Sequence, residues 1–210
     1  MKYIYSFVAF LLFTSCSSTI KTSYGKLSSA EKTWVVFHGF KAKKAYSISL
    51  EAEKVTDSIK KKKIIGIDIS GGKLDAFKHS YWMARLTQGI GKRSAYSLGK
   101  AHEKGNYQNF KKRQLEDGFL PDKPSTDMDL FNNQVGITIG MQKGISSKNK
   151  LIQTILDSVK GGKMRILLKD SSGNFLDCDK NRIPLDSLKH KWNTKKCLVP
   201  SDYTVTATEE

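Results

Sequence analysis

A polar stripe on one predicted helix sets the strongest condition on how this chain can fold. The helix runs from about Ser125 to Gln142, and five of its residues share one narrow face of a helical wheel: Asp129, Asn132, Asn133, Gly136 and Gly140. Apolar residues border this face on both sides, so it cannot be an ordinary solvated surface. Its carboxylate and amides need polar partners inside the protein. We therefore expect a bundle of helices that enclose a polar groove.

Glycines separate several further helical patterns. Helices are predicted for residues 28–37, 41–59, 73–90, 92–104 and 148–160, the first of them opened by the capping-box pair Ser28 and Glu31. Residues 105–125 hold glycine, two prolines and many charges, which indicates a long loop. Residues 164–169 and 174–178 read as two short strands around a turn. The predicted fold class is mainly α, an irregular helical bundle with a small C-terminal β-hairpin appendage.

The N-terminus carries an export pattern. Tyr3 to Phe13 is a run of eleven residues that is apolar apart from Ser6. It is too short to cross a hydrocarbon core of about 30 Å but has the length of the hydrophobic region of a signal peptide. Thr14 and Ser15 precede Cys16, and small residues before a cysteine resemble a bacterial lipoprotein processing site. We expect residues 1–15 to be a signal peptide and Cys16 to be lipidated. The alternative is an ordinary signal peptide with an incidental cysteine.

This reading places the mature chain in the cell envelope, with the membrane as its partner through Cys16. Residues 16–27 would be a lipidated tether, and no later segment stays apolar for eighteen residues. In an oxidising compartment the remaining pair, Cys178 and Cys197, favours a disulfide worth about 3 kcal/mol, the alternative being two unreactive thiols. We expect a helical domain at 28–160, a disulfide-pinned appendage at 161–200 and a flexible tail at 201–210.

The chain is strongly basic. Its 36 lysines and arginines outnumber 20 acidic residues, which gives a formal net charge of +16. The cations lie in short, dispersed runs, and their combined field attracts anions. No zinc-finger spacing and no basic recognition helix is present, so there is no clear nucleic-acid motif. The charge predicts an acidic partner or substrate and no more.

Two histidines are placed to meet the polar stripe. In the 73–90 helix, His79 lies on the apolar face with Trp82, and Asp75 stands one turn before it, where it can orient the imidazole. In the next helix His102 shares a face with small residues, and Glu103 lies at the margin of that face. A single inward histidine is more often a hydrogen-bonded core residue than a ligand. Two histidines, acids and amides on facing helices make a functional pocket an equal alternative to a structural network.

These residues can be assigned roles in a site. The candidate catalytic residues are His79, His102, Glu103 and Asp129, and the candidate substrate-binding residues are Asp75, Trp82, Asn132 and Asn133. A divalent metal could be held by His79, His102 and Asp129, since imidazole and carboxylate are suitable ligands for zinc or a similar ion. The spacing is not that of the H-E-x-x-H motif. A histidine–carboxylate pair that acts as acid and base on a bound water is an equal alternative.

Three motifs also carry a family resemblance. They are Asp75-Ala76-Phe77-Lys78-His79-x-Tyr81-Trp82, Ala101-His102-Glu103 and Met128-Asp129-Leu130-x-Asn132-Asn133-x-x-Gly136. In this order they resemble an uncharacterised bacterial domain family that reads D-A-F-R-H-x-Y-W, A-H-E and M-D-L-x-N-N-x-x-G, over about residues 28–142. Its members are exported or lipid-anchored proteins, and similar domains end large toxin-like, wall-associated proteins. The family has no established activity, so the resemblance implies a site without its chemistry.

The chain departs from the family pattern at two positions. Lys78 stands where arginine is commoner, and Phe131 stands where histidine is often found, which bears on any mechanism that needs a further imidazole.

The leading hypothesis is an envelope lipoprotein whose pocket hydrolyses an anionic substrate, a phosphodiester or a lipid. The rival is a non-catalytic envelope protein in which the same residues form a buried structural network and the basic surface binds a membrane or an acidic partner.

Overall fold

A computed structural model describes residues 18–115 and 119–204 of the chain. The predicted signal peptide and Cys16 lie outside the described residues, so the predicted lipidation has no structural counterpart here. The helices and strands in chain order are α1 (Ser18–Lys26), α2 (Ser29–Phe37), α3 (Gly39–Lys61), α4 (Lys73–Ile90), α5 (Lys92–Lys111), α6 (Lys123–Gly140), α7 (Lys148–Lys160), β1 (Arg165–Leu167), α8 (Leu185–Leu188) and β2 (Leu198–Pro200).

The predicted fold class is confirmed, because the described chain is mainly α with one small antiparallel sheet near its C-terminus. Helix α4 is central and contacts α3, α5, α6 and α7. One side of α4 contributes Phe77 and Tyr81 to a core shared with α3 and α7. Another side contributes Met83 and Leu86 to a core shared with Trp34 of α2. This all-round burial fixes α4 as the scaffold from which the site is built.

Helix starts follow their capping residues. At α2 the Ser28 hydroxyl accepts from the Glu31 N–H, and the Glu31 carboxylate accepts from the Ser28 N–H, which is the predicted capping box. At α6 the cap is Asp122, which pairs reciprocally with Ser125. Helix α6 therefore begins at Lys123, slightly before the predicted start, because Asp122 supplies the acceptor for the first turn.

Helix α5 is longer than predicted. The sequence placed its end at Lys104, before Gly105, but it continues to Lys111. A Cβ at Gly105 would stand 2.5 Å from the hydroxyl oxygen of Ser28. The glycine therefore serves close packing of α5 against the start of α2, not termination. The predicted loop 105–125 is shortened accordingly.

The C-terminal sheet has a different pairing from the predicted hairpin. Strand β1 pairs with β2, with Ile166 opposite Val199, whereas the predicted second strand contributes only isolated bridges such as Lys169 with Phe175. The Leu168 N–H donates to the carbonyl of Cys197, so the end of the chain occupies the edge beside β1. The pairing is thus long-range, which a local alternation pattern does not reveal.

The predicted disulfide between Cys178 and Cys197 is present. It ties the turn region to β2 and so holds the appendage together. The described chain stays packed beyond residue 200, since Ser201 is fully buried and its hydroxyl donates to the Val159 carbonyl at 2.6 Å. Residues 205–210 of the predicted flexible tail lie outside the described residues.

The segment expected as a polar tether contains helix α1. Its Ser23 hydroxyl lies 2.8 Å from the Tyr46 hydroxyl of α3. In the ranges 18–115 and 119–204, none of the helices combines the length and the hydrophobicity that a bilayer-spanning helix needs.

Candidate functional site

The site begins at the turn that leads into α4. Gly71 has a φ angle of +86°, and a Cβ there would stand 2.6 Å from Cδ1 of Leu167, so only glycine fits. Its carbonyl accepts a 2.7 Å hydrogen bond from the Leu167 N–H. Its own N–H donates to Oδ2 of Asp75 at 2.8 Å. The turn therefore fixes the carboxylate of Asp75 at the start of α4, where the helix dipole also favours a negative charge.

His79 brings two carboxylates together. Its Nε2 lies 3.6 Å from Oδ1 of Asp75, one turn earlier on α4, and 3.4 Å from Oδ1 of Asp129 on α6. The side chains of His79, Asp75 and Asp129 are 5%, 10% and 8% exposed. One ligand atom from each lies within 4.8 Å of the other two. We call Asp75, His79 and Asp129 the trio.

Close packing of α4 and α6 makes this convergence possible. A Cβ at Gly136 would stand 2.3 Å from the carbonyl oxygen of Ser80, and one at Gly140 would stand 2.6 Å from that of Ala84. Any larger residue would force the helix backbones apart. The small residues of the stripe therefore set the distance across which His79 meets Asp129.

The other ring nitrogen of His79 contacts an amide. Nδ1 of His79 lies 3.3 Å from Oδ1 of Asn133, which holds the ring with Nε2 toward the two carboxylates. Two carboxylates that converge in a buried recess favour positive charge between them, so the trio suits either a protonated His79 or a cation.

A cavity of about 40 Å³ opens beside the trio. Since one enclosed water needs roughly 10–15 Å³, the cavity has room for about three waters or for an ion with its remaining ligands. Its polar walls include Ser70 and Ser125, and its apolar walls include Leu120 and Pro121. The site is therefore a small recess with the trio on one wall.

Lys196 also lines the cavity, and sequence reasoning missed it. Its Nζ lies 2.8 Å from Oδ2 of Asp122 and 4.0 Å from the centre of the Phe175 ring. Its side chain is 8% exposed, so the charge is held in a defined position. The only signal in the sequence was its place next to Cys197. The chain before it is held at the start of α6, where the Lys123 N–H donates to the Trp192 carbonyl and the Thr194 hydroxyl donates to Asp122.

His102 lies close to the trio but has another partner. Its ring centre is 6.1 Å from that of His79, and its Nδ1 lies 3.1 Å from Oε1 of Glu31 on α2. Burial acts to raise the pKa of Glu31, but the hydrogen bond and the charge of His102 outweigh it, so this pKa lies below its ordinary value. Glu31 was not among the predicted site residues, although its capping-box role was predicted.

Trp82 on α4 and Glu103 on α5 are two further predicted site residues. The Trp82 ring meets His102 edge-on at 5.4 Å, and its Nε1 donates to Ser49 on α3. Glu103 is buried, and its Oε2 accepts a hydrogen bond from Asn106. Trp82 therefore flanks His102 on the side of α3, while the cavity lies on the side of α6 and β1.

Asn132 is engaged in the scaffold. Its Oδ1 accepts from the Arg165 N–H and its Nδ2 donates to the Arg165 carbonyl, both at 2.9 Å. Its backbone carbonyl accepts from the Ser80 hydroxyl at 3.0 Å. The two hydrogen bonds of the amide hold the first residue of β1 against α6. Asn133, its neighbour, is the one that contacts His79.

The structure thus divides the predicted residues into two groups. His79, Asp129, Asp75 and Asn133 converge, while His102 pairs with Glu31. The set suited to a metal is therefore the trio, with Asp75 in the place that the sequence gave to His102. A nitrogen and two carboxylate oxygens suit zinc or manganese and leave positions for water or substrate.

Comparison with known proteins adds a family without an activity. A model of the family described as "Domain of unknown function (DUF6973)" matches residues 32–163. No curated protein and no solved structure matches the chain. The matched range includes the trio, Asn133 and His102 but ends before β1 and Lys196. The three motifs and the helices that carry them therefore lie within one family domain.

Proposed function

The chain belongs to the family described as "Domain of unknown function (DUF6973)", and we propose that it is a cation-dependent hydrolase of phosphodiesters. The observation that carries the proposal is the arrangement at His79. Its Nδ1 is committed to Asn133, and its Nε2 faces the carboxylates of Asp75 and Asp129 beside an open cavity.

A divalent cation suits this arrangement better than a proton alone. Two carboxylates and a neutral imidazole carry two negative charges in a buried recess, and a divalent ion would balance both. Asn133 would then fix the tautomer and orientation of the ligand, as outer hydrogen bonds do for metal-bound histidines. Held by the trio, such an ion would supply Lewis-acid polarisation of a phosphoryl oxygen and a lowered pKa for a bound water.

The walls of the recess favour an anionic substrate. Lys196, whose charge is already paired with Asp122, can donate a further hydrogen bond, and Ser70 and Ser125 supply hydroxyl groups on the same cavity. The net charge of +16 would increase the local concentration of anions. A phosphodiester meets these conditions, since its charge would lie between Lys196 and the cation.

The reaction is hydrolysis with a simple balance. The water oxygen forms a bond to phosphorus, and the bond from phosphorus to the leaving oxygen breaks. The proton lost by the water passes through a carboxylate of the trio and ends on the leaving oxygen. The products are a phosphomonoester and an alcohol, and no oxidant or reductant is consumed.

The rival function is a structural polar network without catalysis. The variant His79→Ala separates the two. Because His79 is buried and contacts Asn133 and both carboxylates, its loss should cost roughly 1–3 kcal/mol of unfolding free energy under either function. Only the catalytic function predicts that a cation-dependent reaction is lost with it.

Hydrolysis assays with the full chain test the proposal. The substrates are a chromogenic phosphodiester, a phospholipid and a single-stranded nucleic acid, with a carboxylic ester as the non-phosphate control. Each is tested with manganese or zinc and with excess chelator. The variants are His79→Ala and Asp129→Asn, and Asp127→Asn is the matched control because it changes an exposed aspartate on the same helix.

The proposal expects cleavage of a phosphodiester that needs the cation, survives Asp127→Asn and is lost by at least about 100-fold in the two site variants. Preference for phospholipid or for nucleic acid identifies the source of the phosphodiester. Cleavage that persists in chelator or in Asp129→Asn would contradict the proposal, as would cleavage of the carboxylic ester alone.

We also infer that the protein acts at a bacterial envelope membrane through a lipid on Cys16. The apolar run before Cys16 and the disulfide of the appendage support this, since disulfides persist in oxidising compartments. Mass spectrometry of the N-terminal peptide from cells tests it. An acylated N-terminal Cys16 is expected, and an unmodified peptide that retains Met1 would contradict it.

A further inference from the structure

The corner between α2 and α3 exposes an unusual apolar tip. Val36, Phe37 and Phe40 are 71%, 80% and 107% exposed, and in the part of the chain that the structure describes no other large hydrophobic side chain is as exposed. Isolated exposed apolar residues are common, but here two phenylalanines and a valine lie within five consecutive residues around one corner. We call these three residues the tip.

The corner beneath the tip is firmly held. Trp34 is buried, and its Nε1 donates to the Ser97 hydroxyl at 2.8 Å. His38 stacks on Trp34 with ring centres 4.4 Å apart, and its Nδ1 donates to the Trp34 carbonyl at 3.0 Å. Ala45 is also buried on the next turns of α3. The exposure of the tip is therefore built into the fold.

Cations surround the tip. Lys41, Lys43 and Lys44 follow it on α3 and are exposed. The Nζ of Lys41 donates to the Ser94 hydroxyl at 2.7 Å. This contact brings the start of α5, with its exposed Lys92 and Arg93, to the same end of the molecule.

Acidic residues are absent from the same segments. The sequence holds no aspartate or glutamate from Lys32 to Leu50 or from Ala76 to His102. A surface of aromatic and aliphatic side chains within a rim of lysines matches an anionic bilayer, where phenylalanine enters the acyl boundary and lysines meet the headgroups. A second copy of the chain would instead bring like charges together.

We propose that the tip and its basic rim dock the domain on an anionic lipid bilayer. Phe37 and Phe40 insert, and Lys43, Lys44, Lys92 and Arg93 contact the headgroups. The contact between Ser23 and Tyr46 ties α1, which follows Cys16 closely in the chain, to the first turns of α3. Helix α1 therefore lies beside the helix that carries Phe40 of the tip. The docking surface does not depend on the chemistry of the trio.

A local fluorescence reporter tests this in the full chain. Cys16 is changed to Ser so that Phe40→Cys can be labelled alone with an environment-sensitive dye, because Cys178 and Cys197 are disulfide-bonded. Leu185→Cys is the matched control, since Leu185 is a 67% exposed apolar residue on α8. Vesicles contain either phosphatidylcholine alone or phosphatidylcholine with phosphatidylglycerol.

The dye at position 40 should brighten and shift to the blue with anionic vesicles, and the dye at position 185 should not. The fluorescence at position 40 distinguishes insertion of the tip from binding of the whole chain, because residues 1–15 could bind vesicles by themselves. An unchanged signal at position 40, or an equal change at both positions, would overturn the proposal.

Binding strength gives a second measurement. In vesicle sedimentation, Lys43→Glu with Lys44→Glu should weaken binding to anionic vesicles by at least about fivefold for each lysine lost. Phe37→Ser with Phe40→Ser should weaken it by about tenfold or more, whereas Leu185→Ser should leave it unchanged. Undiminished binding of the phenylalanine double variant would exclude the tip as the docking element.

Discussion

Nε2 of His79 on α4 lies 3.4 Å from Oδ1 of Asp129 on α6, where the glycines of α6 bring the two helices close together. The two residues are far apart in the chain, and the glycines of α6 let them meet. The same approach aligns Asn133 with the other ring nitrogen of His79. The geometry of the trio is thus a consequence of how α4 and α6 pack.

Gly136→Ala should therefore damage both stability and the site. Its new Cβ would stand 2.3 Å from the Ser80 carbonyl, so the helices must separate. We expect a loss of about 2–3 kcal/mol in the free energy of unfolding, measured by denaturant titration. Gly39→Ala is the control, because no atom lies within 4 Å of its Cβ position, and it should be neutral or stabilising. An unchanged stability for Gly136→Ala would argue against close packing here.

The neighbours Asn132 and Asn133 should give opposite results when changed to alanine. Asn132→Ala leaves the Arg165 N–H and carbonyl without their side-chain partners, so it should cost about 2–3 kcal/mol of unfolding free energy. Asn133→Ala should cost less but should weaken cation binding about 10–100-fold, because His79 loses its orienting contact. Calorimetric titration and melting curves of both variants measure the difference, and equal effects on binding would refute it.

Glu31 should make stability depend on pH. Because its pKa is lowered in the folded protein, its contribution to stability is complete above its ordinary pKa of about 4.5 and is lost as the pH falls through the lowered value. Glu31→Gln should cost about 1–2 kcal/mol near neutral pH and little at the acidic end of the folded range. Urea titrations from pH 3 to pH 7 measure this. A cost that is the same at every pH would contradict the Glu31–His102 pairing.

Loss of the disulfide should lower stability and also weaken anion binding at the cavity. Cys178 and Cys197 are separated by 19 residues, so the bond should contribute about 3 kcal/mol. Lys196 lines the cavity and adjoins Cys197, so a Cys178→Ser/Cys197→Ser protein should also bind inorganic phosphate more weakly. Melting temperature and phosphate titration check the two effects. Phosphate affinity that is unchanged despite a lower melting temperature would show that Lys196 is placed without the disulfide.

Local patterns were sufficient for much of this architecture. The glycine-bounded helices, the capping box at Ser28 and the inward face of α4 follow from residue periodicity, so His79 and Asp129 could be identified as candidates. The stripe on α6 indicated a buried polar groove because apolar residues flank it. These features depend on neighbours within one or two helical turns.

The rest depends on contacts that are distant in the sequence. Glu31 on α2 takes His102 as its partner, and nothing in the α5 pattern indicates that choice. Gly105 resembled a helix end, but it permits the packing of α5 on Ser28. Lys196 reaches the cavity only because the C-terminal chain folds back beside β1. Such pairings are decided by packing among several elements, which periodicity along one element does not encode.

Binding of a divalent cation to the trio tests the central claim most directly. The full chain is titrated with manganese or zinc in a calorimeter, and its melting temperature is followed with cation and with chelator. We expect one cation per chain and about 2.7 kcal/mol of added stability at a hundredfold excess over the dissociation constant. Binding should be lost in Asp75→Asn, His79→Ala and Asp129→Asn but retained in Asp127→Asn. No binding to the native chain, or undiminished binding in Asp129→Asn, would contradict the account.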